Sequence, residues 1–528
     1  MGDRTMSDGK QKPDTTMDAM KAGNHLKRPR LSVSMIVRNE ERFIEGCLQS
    51  IEGLADELVI VDTGSTDRTI EIAGRFNARI IPFNWIDDFS AARNESLKHC
   101  SGDWVLYLDA DERISPDSRE ELRRIVAESE SAAHACLLRS EEWLPSGRTY
   151  TIAPYPRLFR RLPSFRFEGR VHEQIEPSIR SSGHAIQSSG IVIEHLGYSQ
   201  ASDVILAKCE RNARLLRRQL EEDPGNSYVR FQLGNTLAIL GRYEEANVEL
   251  EKALNGPLTG PELRISILNC LAHVAAEEGK MDDGIRHAEA SLAEHKEQVT
   301  ARWLLATFRL KQHDFGEALV QLREIERLQE ESGGERHSRS SIDAFIPKQV
   351  LNTHIGICLE GMGDFAGALN AYYSVLLESQ SNDEAIRKYG ACAERVENLG
   401  PFNGQLELLT NKIPGSVLLN NALIRSYLQS GDTVSARRAL DQLKATGVSN
   451  DDTASLWIEY FIAQAEIHNA LSVYDSAVKS GADSYRFHKA ALSLMLLSKN
   501  LERAMNHLEK MGRGLENMGS LKPQSLPA

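Results

Sequence analysis

The sequence predicts an α/β domain built on a mostly parallel sheet, followed by an all-α array of repeats. Two observations lead there. Between residue 31 and about residue 200, short apolar runs alternate with segments of helical period, and strands joined through helices need crossovers that leave them parallel. Beyond about residue 200 the strand signals stop and helical patterns recur at a fixed spacing. At 528 residues the chain is longer than one core requires, so two or more domains are expected.

Taken in order, "LSVSMIVRN" from Leu31 reads as a strand, and Phe43, Cys47, Leu48 and Ile51 then recur at helical spacing. "DELVIVD" is a second strand, and "TGSTDRTIEIAGRF" a turn with Gly64 and Ser65 that leads into a helix. "ARIIPF" is a third strand, stopped by Pro82; "DFSAARNESLKHC" reads as a helix, and "WVLYL" from Trp104 as a fourth, buried strand. Ser115 and Pro116 suit the N-cap and first turn of a helix through "DSREELRRIVAE". Ligands of parallel sheets sit beyond the carboxyl ends of the strands. Asn39, Glu40, Asp62, Asp109 and Asp111 all fall at such ends.

In the helical half, seven anchors mark the repeat: Tyr243, Met281, Phe315, Phe365, Thr433, Ile467 and Leu501. Several successive spacings are about 34 residues, or twice that, the tetratricopeptide period. Longer spacings require insertions, and "ESGGERHSRSS" near residue 335 is the obvious one. This half resembles a tetratricopeptide-repeat array, although the segment near Leu399 fits poorly. Such stacks make curved surfaces suited to peptide or protein binding, and they can also pair copies of a chain, so a homodimer through the repeats is a second use. The domain reading is an arm at 1–30, a catalytic domain at 31–205, the repeats at 206–515 and a tail at 516–528, both termini read as disordered.

The formal net charge of -13 argues against non-specific attachment to nucleic acid or anionic lipid. No run of about 18 apolar residues implies a membrane span, and residues 1–30 have no apolar core of the secretory kind, so a cytoplasmic protein is expected. The seven cysteines are scattered, form no CxxC pair and read as reduced, buried thiols.

"DAD" at Asp109–Asp111 offers hard oxygen ligands to a divalent cation such as Mn2+ or Mg2+, and a nucleoside diphosphate needs one to neutralise its charge as it leaves. A lone D-x-D pair is more often a cap or a solvated loop; its place after a buried fourth strand raises its weight. With this the motifs "SMIVRNEERFIEGCLQSI", "VIVDTGSTDRTIEIA", "DDFSAARNESLKHCSGDWVLYLDADERI" and "FRFEGRVHEQI" together resemble the family 2 glycosyltransferases. The likeness is greatest to a bacterial branch with appended tetratricopeptide repeats that includes bacteriocin S-glycosyltransferases.

The resemblance implies a GT-A fold, a Rossmann-like sheet, over residues 31 to about 200. It implies nucleotide-sugar donor contacts at Glu40, Asp62, Arg93 and Asp109, with Asp62 on the base of a UDP-sugar, and metal ligation by Asp111 with Asp109 oriented to ribose or metal. Where many relatives carry a second Asp this chain has Thr63. Glu173 stands where the family needs a carboxylate base for the acceptor, with His172 beside it. His195, after the apolar run "IVI", is a further candidate metal ligand.

Each residue also has a plainer role. Glu40 suits a helix N-terminus, Asp62 can close a turn with Ser65 and Thr66, Arg93 can be a helix-surface cation, Glu173 can pair with Arg170 or Arg166, and His195 can be a hydrogen-bonded structural residue. The processive Q-x-x-R-W motif is lacking, which favours transfer of a single sugar. A nucleotidyltransferase would bring a Gly-rich, basic first loop in place of "VRNEERF"; an inactive scaffold built on the repeats is another alternative, and transfer to a glycan or other small acceptor a further one.

Overall fold

The computed structural model describes residues 29–144, 147–196, 202–258, 260–331, 343–379, 382–445 and 450–519. Most of the arm and the tail, and nearly all of the insertion near residue 335, lie outside the described residues. The first compact unit takes described residues 29–140, 154–196 and 214–219; the second takes 141–144, 147–153, 202–213 and those from 220 onward. The two units interleave in sequence, where the sequence reading drew one boundary after residue 205.

In the first unit the strands are β1 (Leu31–Val37), β2 (Glu57–Asp62), β3 (Arg79–Pro82), β4 (Trp104–Tyr107), β5 (Glu112–Ile114), β6 (Ala133–Leu144), β7 (Gly147–Arg160) and β8 (Ile186–His195), with the far ends of β6 and β7 in the second unit. Their order is β3-β2-β1-β4-β7-β6-β8-β5. Strand β1 runs parallel to β2 and β4, β2 to β3, and β6 to β8, while β7 is antiparallel to β4 and β5 to β8. The helices are α1 (Ile44–Ser50), α2 (Thr69–Arg75), α3 (Phe89–His99), α4 (Arg119–Glu128) and α5 (Glu176–Ser181).

Period-2 alternation decides which side each strand residue serves. Leu31, Val33, Met35 and Val37 join Trp104 and Leu106 in a core with Ile44, Cys47, Ile72, Leu122 and Ile125, so α1, α2 and α4 cover one side. Val59, Val105 and Tyr107 face the other, with Phe159, Phe165, Phe167 and Ile179. There Ser34 meets Ser96 of α3 through buried hydroxyls 2.8 Å apart. The expected Ser115 N-cap is not formed: a 3-10 turn, Pro116–Ser118, precedes α4, and Ser115 makes no side-chain cap. Ser118 instead accepts the Val192 N–H at 2.8 Å and ties the start of α4 to β8.

The second unit is helical apart from the far ends of β6 and β7 and the short β9 (Asp343–Phe345), which pairs antiparallel with Tyr150–Ile152 of β7. All seven predicted anchors are the first residue of a helix. Leu399, fully buried, precedes a 3-10 turn and the helix Asn403–Lys412, which supplies the repeat member the sequence showed poorly. No helix among the described residues is long and apolar enough to cross a membrane.

Candidate active site

Strands β1 and β2 end side by side, with Val37 paired to Asp62. Beyond β1 the chain turns through Asn39 at φ 58°, whose side-chain oxygen accepts the Thr66 N–H at 2.7 Å. Next to it the Glu40 N–H donates to the Thr69 hydroxyl at 2.7 Å, and its carbonyl accepts the N–H groups of Phe43 and Ile44. Asp62 accepts N–H groups from Gly64 and Ser65 at 3.0–3.3 Å, so its carboxylate closes the turn after β2. Thr63 is buried, and its hydroxyl donates to the Val37 carbonyl.

Past β4, Leu108 completes the apolar run and the chain turns through Asp109, Ala110 and Asp111 into β5. The Glu112 N–H donates to the Asp109 carbonyl at 3.1 Å, and the Glu112 carboxylate accepts the Asp109 N–H at 2.9 Å. The turn is therefore closed from both sides, by main chain and by side chain. At its far end the Leu196 N–H donates to the Asp111 carbonyl, and β5–β8 pairing sets Glu112 opposite His195. His195 Nε2 comes to 3.5 Å from Asp111 Oδ2, while its Nδ1 meets the Ser140 hydroxyl at 3.1 Å. Burial alone would lower the His195 pKa, but the Asp111 carboxylate outweighs it and raises the pKa.

Arg93 of α3 joins the two sides of the site. Its Nη2 bonds Asp109 Oδ1 at 2.8 Å, its Nε bonds Glu173 Oε1 at 2.5 Å, and the guanidinium lies over the rings of Tyr107 and Phe167. Asn94, the next residue, brackets Phe167: its Nδ2 donates to the Phe167 carbonyl and its Oδ1 accepts the Phe167 N–H. The Phe89 N–H donates to the Arg170 carbonyl, so α3 holds the Glu173 segment at three places. That segment also bends through Gly169 and His172, both at positive φ.

Sequence reasoning missed Arg157, and it grouped Glu112 with Asp109 and Asp111 after the apolar run without giving it a role of its own. Glu112 is 1% exposed and bonds Arg157 Nη2 at 2.7 Å. The Arg157 guanidinium stacks on Tyr107 at 4.2 Å and stands 3.9 Å from Asp109 Oδ2. Burial works to raise the Asp109 pKa, yet Arg93 and Arg157 bring it down to about 2. For Glu112 burial pulls the pKa up, against the opposing pull of the Arg157 guanidinium paired with it. Arg93 Nη1 and Arg157 Nε and Nη1 are buried without a hydrogen-bond partner among the described residues. A Glu after D-x-D and an Arg inside "PYPRLFRR" carry no local mark of burial; the one available signal was a charge at a strand position of inward parity.

The site residues thus divide into one group at the ends of β1 and β2 (Glu40, Asp62) and another around the β4–β5 turn (Asp109, Asp111, His195, Arg93, Glu173). The sheet thus carries acidic turns at the carboxyl ends of its parallel strands β1, β2 and β4. Residues 32–196 match the family described as Glycosyl transferase family 2, and this segment is a domain of that family.

The chain is 33% identical over 273 residues to a TPR repeat-containing protein of Synechococcus elongatus, a match covering 50% of this chain and 66% of that one. It is 30% identical over 234 residues to the SPbeta prophage-derived glycosyltransferase SunS of Bacillus subtilis, covering 43% and 54%. The chain therefore spans about half to two thirds of the length of these relatives. Among solved structures, S. aureus TarS aligns with 51% of this chain and 55% of its own at 16% identity and a TM-score of 0.29.

Proposed function

We propose that the protein is a metal-dependent, inverting glycosyltransferase that moves one sugar from a nucleotide-sugar, a UDP-sugar by preference, to a peptide or protein held by the repeat array. The observation that carries this reading is the convergence on Arg93 of a donor-side carboxylate, Asp109, and an acceptor-side carboxylate, Glu173, at the carboxyl edge of the sheet. Glu40 and Asp62 are assigned to the nucleoside. Asp62 is already engaged in closing its own turn, so the base would meet a fixed acceptor. Glu173 is assigned the acceptor proton, which it can take once a phosphate oxygen competes for Arg93.

Asp111 and His195 suit a divalent cation: a carboxylate oxygen and an imidazole nitrogen 3.5 Å apart can share one ion. Among the described residues no group of three or more such side chains stands ready to hold a metal. Mn2+ or Mg2+ held there would complete its shell with water and phosphate oxygens. When bound, the ion would neutralise the departing diphosphate. The peptide acceptor is supported by the repeat array, and a cytoplasmic setting by seven buried free thiols.

The test is release of nucleoside diphosphate from UDP-, GDP- and dTDP-sugars with Mn2+, Mg2+ or chelator, comparing wild type with Asp111→Ala. Release from one donor is expected, abolished by chelator and reduced about 100-fold or more in the variant. If no nucleotide-sugar binds even with metal, the carboxylates are structural and the reading fails.

A further inference from the structure

Asp109 stands between two buried guanidinium groups. Arg93 takes its Oδ1 at 2.8 Å; Arg157 lies 3.9 Å from its Oδ2, beyond hydrogen-bond range. What occupies Arg157 instead is Glu112, at 2.7 Å. The same Glu112 carboxylate also accepts the Asp109 N–H, so one side chain fixes the turn and engages the neighbouring cation. Arg157 and Glu112 are 7% and 1% exposed at the side chain. A buried ion pair of this kind is often no more stabilising than apolar residues of the same volume, which leaves its presence beside the D-x-D turn to be explained.

We propose that Glu112 is a positioning residue that holds Arg157 off Asp109, so that the second carboxylate oxygen of Asp109 stays free for the cation and the donor. This rests on the glycosyltransferase reading above. Without the Glu112 charge, Arg157 has two otherwise unpartnered nitrogens and one carboxylate within reach, Asp109, whose second oxygen would swing into a salt bridge and no longer face a ligand. Glu112 acts by competing for a cation, and the consequences of its loss therefore depend on whether that cation is still there.

The experiment measures Mn2+ affinity by electron paramagnetic resonance on the full chain with UDP present, for wild type, Glu112→Gln, Arg157→Met and the double variant. Glutamine keeps an acceptor for the Asp109 N–H and removes only the charge. The expected result is affinity about tenfold weaker in Glu112→Gln, as for residues that orient metal ligands. Arg157→Met should not weaken it, and the double variant should return to within about threefold of wild type, because no cation is left to capture Asp109. Loss in all three variants, or wild-type affinity in Glu112→Gln, overturns the proposal. If Glu112→Gln does not fold, the double variant still decides, since charge competition requires near-normal binding there and a packing role requires loss. Wild type binding no Mn2+ with UDP would instead sink the glycosyltransferase reading itself.

Discussion

At Arg93 one buried guanidinium answers two carboxylates, Asp109 and Glu173, while two aromatic rings lie against it. Removing it leaves Glu173, 10% exposed at the side chain, without that cation, while Asp109 keeps only the more distant Arg157. Arg93→Met should therefore cost about 3 kcal/mol in urea unfolding of the first unit, since an uncompensated buried charge is what makes such deletions severe. Arg93→Lys should recover less than half, because an ammonium cannot reproduce the planar fork that reaches both carboxylates. Equal urea midpoints for all three proteins would mean that neither pair contributes. The family resemblance assigned Arg93 and Asp109 to the donor and Glu173 to the acceptor, but nothing local showed that they bond to each other: Arg93 and Glu173 are 80 residues apart. Asp62 is the reverse case, where the plainer turn-closing geometry was readable from "DTGS" and is present.

Among the elements, the repeat turns obey a rule invisible to apolar periodicity alone. Two residues before every anchor the backbone enters the left-handed region: Gly241, Gly279, His313, Gly363, Gly431, Ala465 and Lys499, at φ between 58° and 82°. Four of the seven are glycine, the residue that adopts this conformation without a Cβ penalty. The other three carry a side chain in a conformation costing roughly 1–2 kcal/mol, partly offset by the greater entropy glycine loses on folding. Ala465→Gly and Lys499→Gly are each expected to stabilise the repeat unit by about 0.5–1 kcal/mol, read as a higher thermal midpoint. A lower midpoint would show that these side chains make contacts worth more than the strain. The periodicity alone located the seven anchored helices, because a 34-residue repeat restates the same apolar face each time. It failed near Leu399, where a 3-10 turn replaces the usual start.

On the scale of the whole molecule, the two units should respond differently to acid. In the second unit Tyr474, His507, His488, Asp483 and Lys510 form one chain of contacts, each 3.0–3.1 Å. With the His507 ring neutral the contacts can run in series: Tyr474 O–H to His507, His507 N–H to His488, and His488 N–H to Asp483. Burial, with the Lys510 and Arg503 cations adding to it, holds the His507 pKa down at about 4 against an ordinary 6.5. The unfolded chain takes up that proton first, so stability is intact above about pH 6.5 and falls as pH drops towards 4, by on the order of 2 kcal/mol. Calorimetry at pH 7.5 and 5 should show the repeat transition moving down, and His507→Phe should remove most of that shift; a pH-independent transition would refute it.

The sequence foretold strands β1 to β4 and the helices between them, because each is a local apolar pattern. It gave no hint that β5 lies at the far edge of the strand order. In a flat sheet β4 and β5 would stand about 19 Å apart, four strand spacings, whereas the five steps from Tyr107 to Glu112 reach at most about 18 Å. The sheet must curl for this short link to close. For a lineage of such proteins the link is a ruler: side chains along it can be exchanged, but one codon gained or lost would turn Glu112 outward and carry both aspartates off their marks. Drift in what the site recognises is thus open to single-base changes, while drift in length here is closed.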